Sequence, residues 1–225
     1  AIIASCDVAA AMMEPPGGTA LVEESILEAL DFRRAMRKVE AEFGASDWWF
    51  KVWGPDHLVA DGIGERDDWL LETDANWHGF GALAPGFNML DPIKATIVTP
   101  GLDVSGTFGQ TGIPASIVTK FLAEHGVIVE KAGLYSFFIM FTIGITKGRW
   151  NTLLTALQQF KDDYDRNQPM WRILPEFCHD YPQYEQVGLR DLCTRIHEMY
   201  RAHDVARLTT EMYLSDMVPA MKPSE

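Results

Sequence analysis

The sequence predicts an α/β fold followed by a mostly helical segment, and three observations carry that expectation. An apolar pattern of helical spacing runs from Leu21 to Phe43. Strand-like runs at residues 94–99 and 127–143 alternate with helical patterns at 113–124 and 147–164. From Met170 onward the pattern is helical almost throughout.

Taken in order, the opening AIIAS reads as the tail of a buried strand, with Asp7 capping a short apolar helix, VAAAMM. EPPGGT (residues 14–19) breaks the chain, because two prolines lack the amide that regular structure needs and two glycines leave the backbone free to turn. Thr19 can then serve as the N-cap of a long helix in which Leu21, Val22, Ile26, Leu30, Ala35 and Val39 recur at roughly helical spacing out to Phe43. WWFKVW (48–53) reads as a strand, GPDHL as the turn after it, and residues 60–72 as an acidic loop. DANWHGFG follows. In DPIKATIVTPG the β-branched KATIVT is a strand, and DVSGTFGQTG is a loop.

Ile113–Glu124 reads as a helix with Pro114 in its first turn, where a missing amide costs nothing, and Gly126 as its stop. VIVE and LYSFFIMFTI are two strands around the turn KAG. Residues 147–164 are helical, with Trp150, Leu153, Leu154, Leu157 and Phe160 on one face. DRNQP (165–169) is a polar break and marks a domain boundary. Beyond it, LRDLCTRIHEMYRAH carries Leu189, Leu192, Ile196 and Met199 at helical spacing, in a segment with no visible core of its own.

The composition narrows the function. The 225 residues are 47% hydrophobic and 23% charged, with a formal net charge of −13. So acidic a chain argues against nucleic acid or an anionic membrane as partner and suits a cationic ligand. Cys6, Cys178 and Cys193 are an odd, scattered set, which fits a reducing, cytoplasmic setting better than a disulfide framework. No cluster has the spacing of a zinc site. The longest apolar run, Ala132–Ile145, falls short of the about 20 residues that span a bilayer. The start lacks a basic signal-peptide region, and both ends read as cuts from a longer chain.

Candidate sites are few. PPGGT and GFGALAPGF lack the spacing of a dinucleotide or phosphate loop and read as turns. There is no G-x-S-x-G elbow, and the six histidines form no recognisable triad in sequence. His78, between Trp77 and Phe80, reads as a structural, hydrogen-bonded histidine. The sharpest anomaly is Glu130 beside Lys131 in GVIVEKAGLYSFFIMFTIGI. Successive strand side chains point to opposite faces, so the two cannot both face a core. Two readings stand: Glu130 is exposed at a strand end beside a turn, or it is a carboxylate delivered at a sheet edge into a cleft or subunit interface, where it needs a cationic partner.

Several stretches together resemble a known family. NWHGF, LDPIKATIVTPG, GIPASIVTKFLAEHGVIVEKAG and FTIGITKGRWNTLLTALQQFKDDYD resemble, in order, the large pyridoxal-phosphate-dependent Orn/Lys/Arg decarboxylases of bacteria. AAAMMEPPGGTALVEESILEALDFRRAMRKV and LTTEMYLSDM do so too, and the lysine branch is the most similar. The resemblance implies an aspartate-aminotransferase-like fold of pyridoxal-phosphate fold type I. Residues 1–18 would end its large domain, 19–165 would be the small α/β (α+β) domain, and 166–225 would begin a truncated C-terminal domain. The Schiff-base lysine follows a histidine in the family. No His-Lys pair occurs here, so that lysine and the aspartate on the pyridine nitrogen are expected upstream. The chain alone is expected to be inactive.

The implied reaction is L-lysine to cadaverine and CO2, with ornithine or arginine decarboxylation as the alternative. A non-catalytic dimerisation module is the alternative of another class. The resemblance makes Glu130 the substrate-binding residue, meeting the distal ammonium of a small cationic amino acid, and leaves Lys131 at a surface or interface. Trp77 and His78 match a family motif with no chemical role attached. A homodimer at least, and a higher homo-oligomer, is implied. Some enterobacterial members bind a guanosine stress nucleotide through arginines. Pro169 stands at one such position and removes a donor, so that regulation is not expected.

Overall fold

Helix accounts for most of the architecture, with a small sheet set against it. The computed structural model describes residues 2–44, 47–55, 65–73, 75, 77–81, 83–84, 86 and 88–217. The chain opens on helix α1 (Ile2–Met12), not on a strand. Ala4, Ala9, Ala10 and Ala11 favour helix strongly enough to outweigh the short β-branched start, and no α1 side chain is buried. The EPPGGT break holds, but helix α2 (Gly17–Phe43) begins two residues before Thr19, with Pro16 at its N-cap. A Cβ on Gly18 would lie 2.1 Å from the Met13 carbonyl oxygen, so the chain turns there in a space that only glycine leaves.

The sheet has four strands in the order β1-β2-β4-β3: β1 (Lys51–Val52), β2 (Lys94–Val98), β3 (Lys131–Ala132) and β4 (Ser136–Met140). β1 runs antiparallel to β2, with Lys51 opposite Val98 and Val52 opposite Ile97. The Phe141 amide donates to the Ile93 carbonyl and the Thr99 amide to the Tyr135 carbonyl, so β2 and β4 are antiparallel too. β3 and β4 form a tight hairpin. The expected strand WWFKVW shrinks to two residues, and Trp49 and Phe50 are buried outside any strand. VIVE is not a strand. The hairpin pairs Glu130 with Phe138 and Gly133 with Ser136, so the ladder starts only at residue 130, and Ile128 is 80% exposed.

The chain forms two compact units: residues 1–98, 129–131 and 137–158, and residues 99–128, 132–136 and 159–225. In the first, α2 buries Ala29, Leu30, Phe32, Arg33, Met36 and Val39. Phe32 packs on Phe141 and Trp150 at ring distances of 5.5 and 5.9 Å. Trp150 opens the inner face of α4 (Lys147–Asp165), and its indole donates to Glu28 at 2.5 Å. Arg33 lies within this core, 3% exposed. Its two terminal nitrogens donate to the Trp53 and Lys94 carbonyls, each at 3.0 Å. Burial lowers its pKa to about 10, opposed by the Asp91 charge.

In the second unit, α3 (Ala115–Glu124) buries Ile117, Val118, Phe121 and Leu122. The last turns of α4 add Phe160, edge-on to Phe121 at 5.3 Å, and the buried Lys161, paired with Asp165 at 2.5 Å. α5 (Met170–Ile173), α6 (Pro175–Asp180) and α7 (Leu189–Ala202) supply Met170, Ile173, Leu174, Cys178, Leu189, Leu192 and Cys193 to the same interior, and α8 (Val205–Met212) follows. The segment after Met170 therefore does have a core, shared with α3. Among the described residues no helix is long and apolar enough to cross a membrane.

Two outcomes test this packing. Arg33→Met removes the donors of two inward carbonyls and should lower the unfolding free energy by about 2–6 kcal/mol, at about 1–3 kcal/mol per orphaned group. Arg33→Lys should recover only part of it, because an ammonium cannot reproduce the fork. Urea denaturation of both variants checks this. Burial pushes the Cys193 thiol from 9.0 up to about 12. A raised folded pKa gives stability that is full below the unfolded value. Cys193 should therefore cost nothing below about pH 9, with stability falling between about pH 9 and 12. The Cys193→Ala variant should show a flatter alkaline unfolding profile.

Candidate functional site

Glu130 sits one residue before β3, an edge strand of the sheet. Its backbone amide donates to the Phe138 carbonyl at 3.0 Å, so the main chain is fixed by the hairpin while the side chain is exposed. No ion pair joins Glu130 to any other described residue. Lys131, the next residue, is also exposed. The structure thus holds a carboxylate on a rigid seat with its charge unspent. It is able to take up an ammonium or guanidinium without first breaking an internal pair.

His78 is of the opposite kind. It is 4% exposed. Its Nδ1 accepts from the Phe80 amide at 3.1 Å, which leaves the proton on Nε2 to be donated to the Glu72 carbonyl at 2.9 Å. Trp77 lies 4.8 Å from the Trp53 ring, and the Trp53 indole donates to the Trp77 carbonyl. Residues 77–80 therefore form a structural knot in which both imidazole nitrogens are used, as expected of a hydrogen-bonded histidine. It covers the cluster of Leu30, Trp69, Leu71 and Leu90.

A second buried histidine escaped the sequence reading. The α7 pattern was assigned through Leu189, Leu192, Ile196 and Met199. Met199 is 50% exposed, and Cys193 and His197 are buried in its stead. The Tyr135 hydroxyl donates to His197 Nδ1 at 2.6 Å, and His197 Nε2 donates to the Gly109 carbonyl at 3.0 Å. Desolvation, then the neighbouring Tyr200 and Cys193, push the Tyr135 phenol well above its ordinary range. The loop after β2 is moulded to this pair. A Cβ on Gly112 would lie 2.2 Å from His197 Nδ1, and one on Gly101, at φ +127°, would lie 2.5 Å from the Tyr135 ring. The glycines of GLDVSGTFGQTG were the available signal, since so many in one loop mark a close approach of something bulky. No group of three metal-ligating side chains comes together among the described residues.

An antiparallel sheet backed by helices, with an exposed carboxylate at its edge hairpin that makes no ion pair among the described residues, forms an α+β module. The chain belongs to the Orn/Lys/Arg decarboxylase family, whose "Orn/Lys/Arg decarboxylase, major domain" model matches residues 1–149. Over its whole length it is 48% identical to the lysine decarboxylase LdcA of Pseudomonas aeruginosa, and it is 38% identical over 98% of its length to the inducible lysine decarboxylase of Escherichia coli. The biodegradative arginine decarboxylase of Escherichia coli is 33% identical. It spans about 30% of the length of the first two relatives. The solved lysine decarboxylase A of Pseudomonas aeruginosa superposes with a TM-score of 0.88 over 94% of this chain and 28% of its own. The constitutive lysine decarboxylase of E. coli superposes with 0.83 at 36% identity, over 94% of this chain and 29% of its own.

The Tyr135–His197–Gly109 relay is a tether for the loop, and Tyr135→Phe tests it. The ring is kept, but His197 Nδ1 loses its donor. Stability should fall by about 1–3 kcal/mol, read as a shift of the urea midpoint with an unchanged slope. Gly112→Ala should cost at least as much, because the Cβ meets the imidazole itself.

Proposed function

We propose that this chain is part of a pyridoxal-phosphate-dependent decarboxylase that converts L-lysine to cadaverine and CO2. The observation that carries the reading is Glu130: an exposed carboxylate with no ion pair among the described residues, on a backbone held by an edge hairpin, in a chain of this family. Lysine ends in an ammonium. A carboxylate at the far end of its side chain binds that charge and so sets the reach and orientation of the Cα end, where the carboxylate is lost. Most of the named relatives cited above act on lysine, which favours lysine over arginine. Ornithine is shorter by one methylene, a difference worth about 1–3 kcal/mol, and pocket depth would decide it.

Pyridoxal phosphate, when bound, supplies the electron sink for such a reaction. The residues of this chain do not fit it as an anchor. Lys161 is the buried lysine among the described residues, and it is held by Asp165 within α4. The reading therefore assigns the cofactor's attachment to residues outside this sequence. The same reading makes residues 1–18 the end of a cofactor-binding domain, 19–165 a small domain and 166–225 the start of a C-terminal one. It also makes the complete enzyme a cytoplasmic homo-oligomer.

In the complete enzyme, Glu130→Gln should raise KM for lysine by roughly 10–100-fold, the loss expected for a charge-assisted pair, with a much smaller change in kcat. An unchanged kcat/KM would sink the assignment of Glu130. Absence of lysine turnover by the unsubstituted complete enzyme would sink the substrate.

A further inference from the structure

Outside Glu130 and its hairpin, the second unit encloses a cavity of about 550 Å³ between α3, α6 and α7, a volume typical of small-molecule sites. Its floor is aliphatic, with Ile117, Leu174 and Leu192 among its residues. One wall is aromatic: the Phe177 ring lies 4.9 Å from Tyr181 and 5.5 Å from Tyr184. Asp180 stands at the exposed side of the same wall.

The charges favour a cation. Lys120 also lines the cavity, but its ammonium is 3.6 Å from Glu124, whose side chain is only 7% exposed. Glu124 Oε1 accepts from the Phe177 amide at 3.2 Å, while Oε2 is buried with no hydrogen-bond partner. Lys120 and Glu124 thus offset one another behind the aromatic wall, and neither gives the cavity a net charge. Lys120 is thus already neutralised, Asp180 has no ion-pair partner among the described residues, and three ring faces are at hand. An anion would meet net repulsion.

We propose that this cavity binds a short linear alkylammonium ion, its chain on the aliphatic floor and its charged head between Tyr181, Tyr184 and Asp180. Rings and a carboxylate together are the arrangement that holds organic cations. The ligand class rests on the cavity alone. Cadaverine, the product of the proposed reaction, is a diammonium whose second charge would lie on the aliphatic floor, so it should bind more weakly than pentylammonium.

The test is calorimetric titration of the complete protein with pentylammonium, cadaverine and the uncharged pentanol, on the unsubstituted protein and on Asp180→Asn, Tyr181→Ala and Glu130→Gln. Asp180 and Tyr181 are exposed, and thermal melts confirm that their variants fold. Expected are a pentylammonium isotherm that survives Glu130→Gln, a loss of about tenfold in affinity in Asp180→Asn and in Tyr181→Ala, and at least tenfold weaker binding of pentanol. Pentylammonium binding unaffected by both variants, equal binding of pentanol, or no binding at all would overturn the proposal. Binding of pentylammonium by a protein that does not turn over lysine would sustain the cavity and remove the proposed reaction, so the two fail separately.

Discussion

The first unit depends on one buried guanidinium. Arg33 projects from the middle of α2 and donates to the Trp53 and Lys94 carbonyls. These carbonyls flank β1 and β2, where the chain leaves one strand and enters the next. Carbonyls at strand ends have no ladder partner, and burying them unpaired is costly. One side chain with several donors in a rigid fork satisfies both and fixes the distance between helix and sheet. The aromatic packing of Phe32 on Phe141 and Trp150 is built around the same turn of α2. The depressed pKa of Arg33 records the cost of this arrangement: burial works against the charge, and Asp91 returns part of it. A hydrophobic residue could fill the volume but would strand the carbonyls.

That choice also marks the limit of what could be read from sequence. The periodicity of α2 was legible from Leu30 and Val39, and the helix runs to Phe43 as expected. A search for apolar spacing passes over Arg33, although it lies deeper in the core than Val39. β2, α3 and α4 were legible because propensity, apolar spacing and stop signals agree in them. α1 and the VIVE segment were misread because their composition is ambiguous. A few β-branched residues suit a strand, but alanines extend the first into a helix, and the hairpin at Gly133 sets where pairing begins in the second. His197 was hidden for a related reason: an imidazole with both nitrogens bonded behaves as a core residue.

The polar groups of the chain thus fall into two sets by how fully they are used. His78, His197 and Arg33 are buried, and most of their donors and acceptors are assigned to backbone or to Tyr135. They specify shape. Glu130 is the reverse, an exposed charge with no ion pair among the described residues, on a main chain held by a hairpin hydrogen bond. Of the first set, His78 was legible from its setting as a structural histidine, whereas His197 and Arg33 were not; the burial and the partners that fix them are tertiary facts.

A hairpin is a suitable seat for a recognising carboxylate, and the reason is energetic. A carboxylate on a loop would have to be ordered when the ligand arrives, and each ordered, rotamer-rich side chain costs about 0.5–1.5 kcal/mol of affinity. At Glu130 the backbone is already fixed by its bond to Phe138, so only the side-chain torsions remain to be set. In the proposed role, its exposure leaves the carboxylate solvated until a cation and a covering surface arrive together, and the attraction would then be realised where water has been excluded and the effective dielectric is lower. The edge position leaves one side of the hairpin free for that covering surface. A carboxylate already paired within the sheet would have to exchange one ion pair for another, with little net gain.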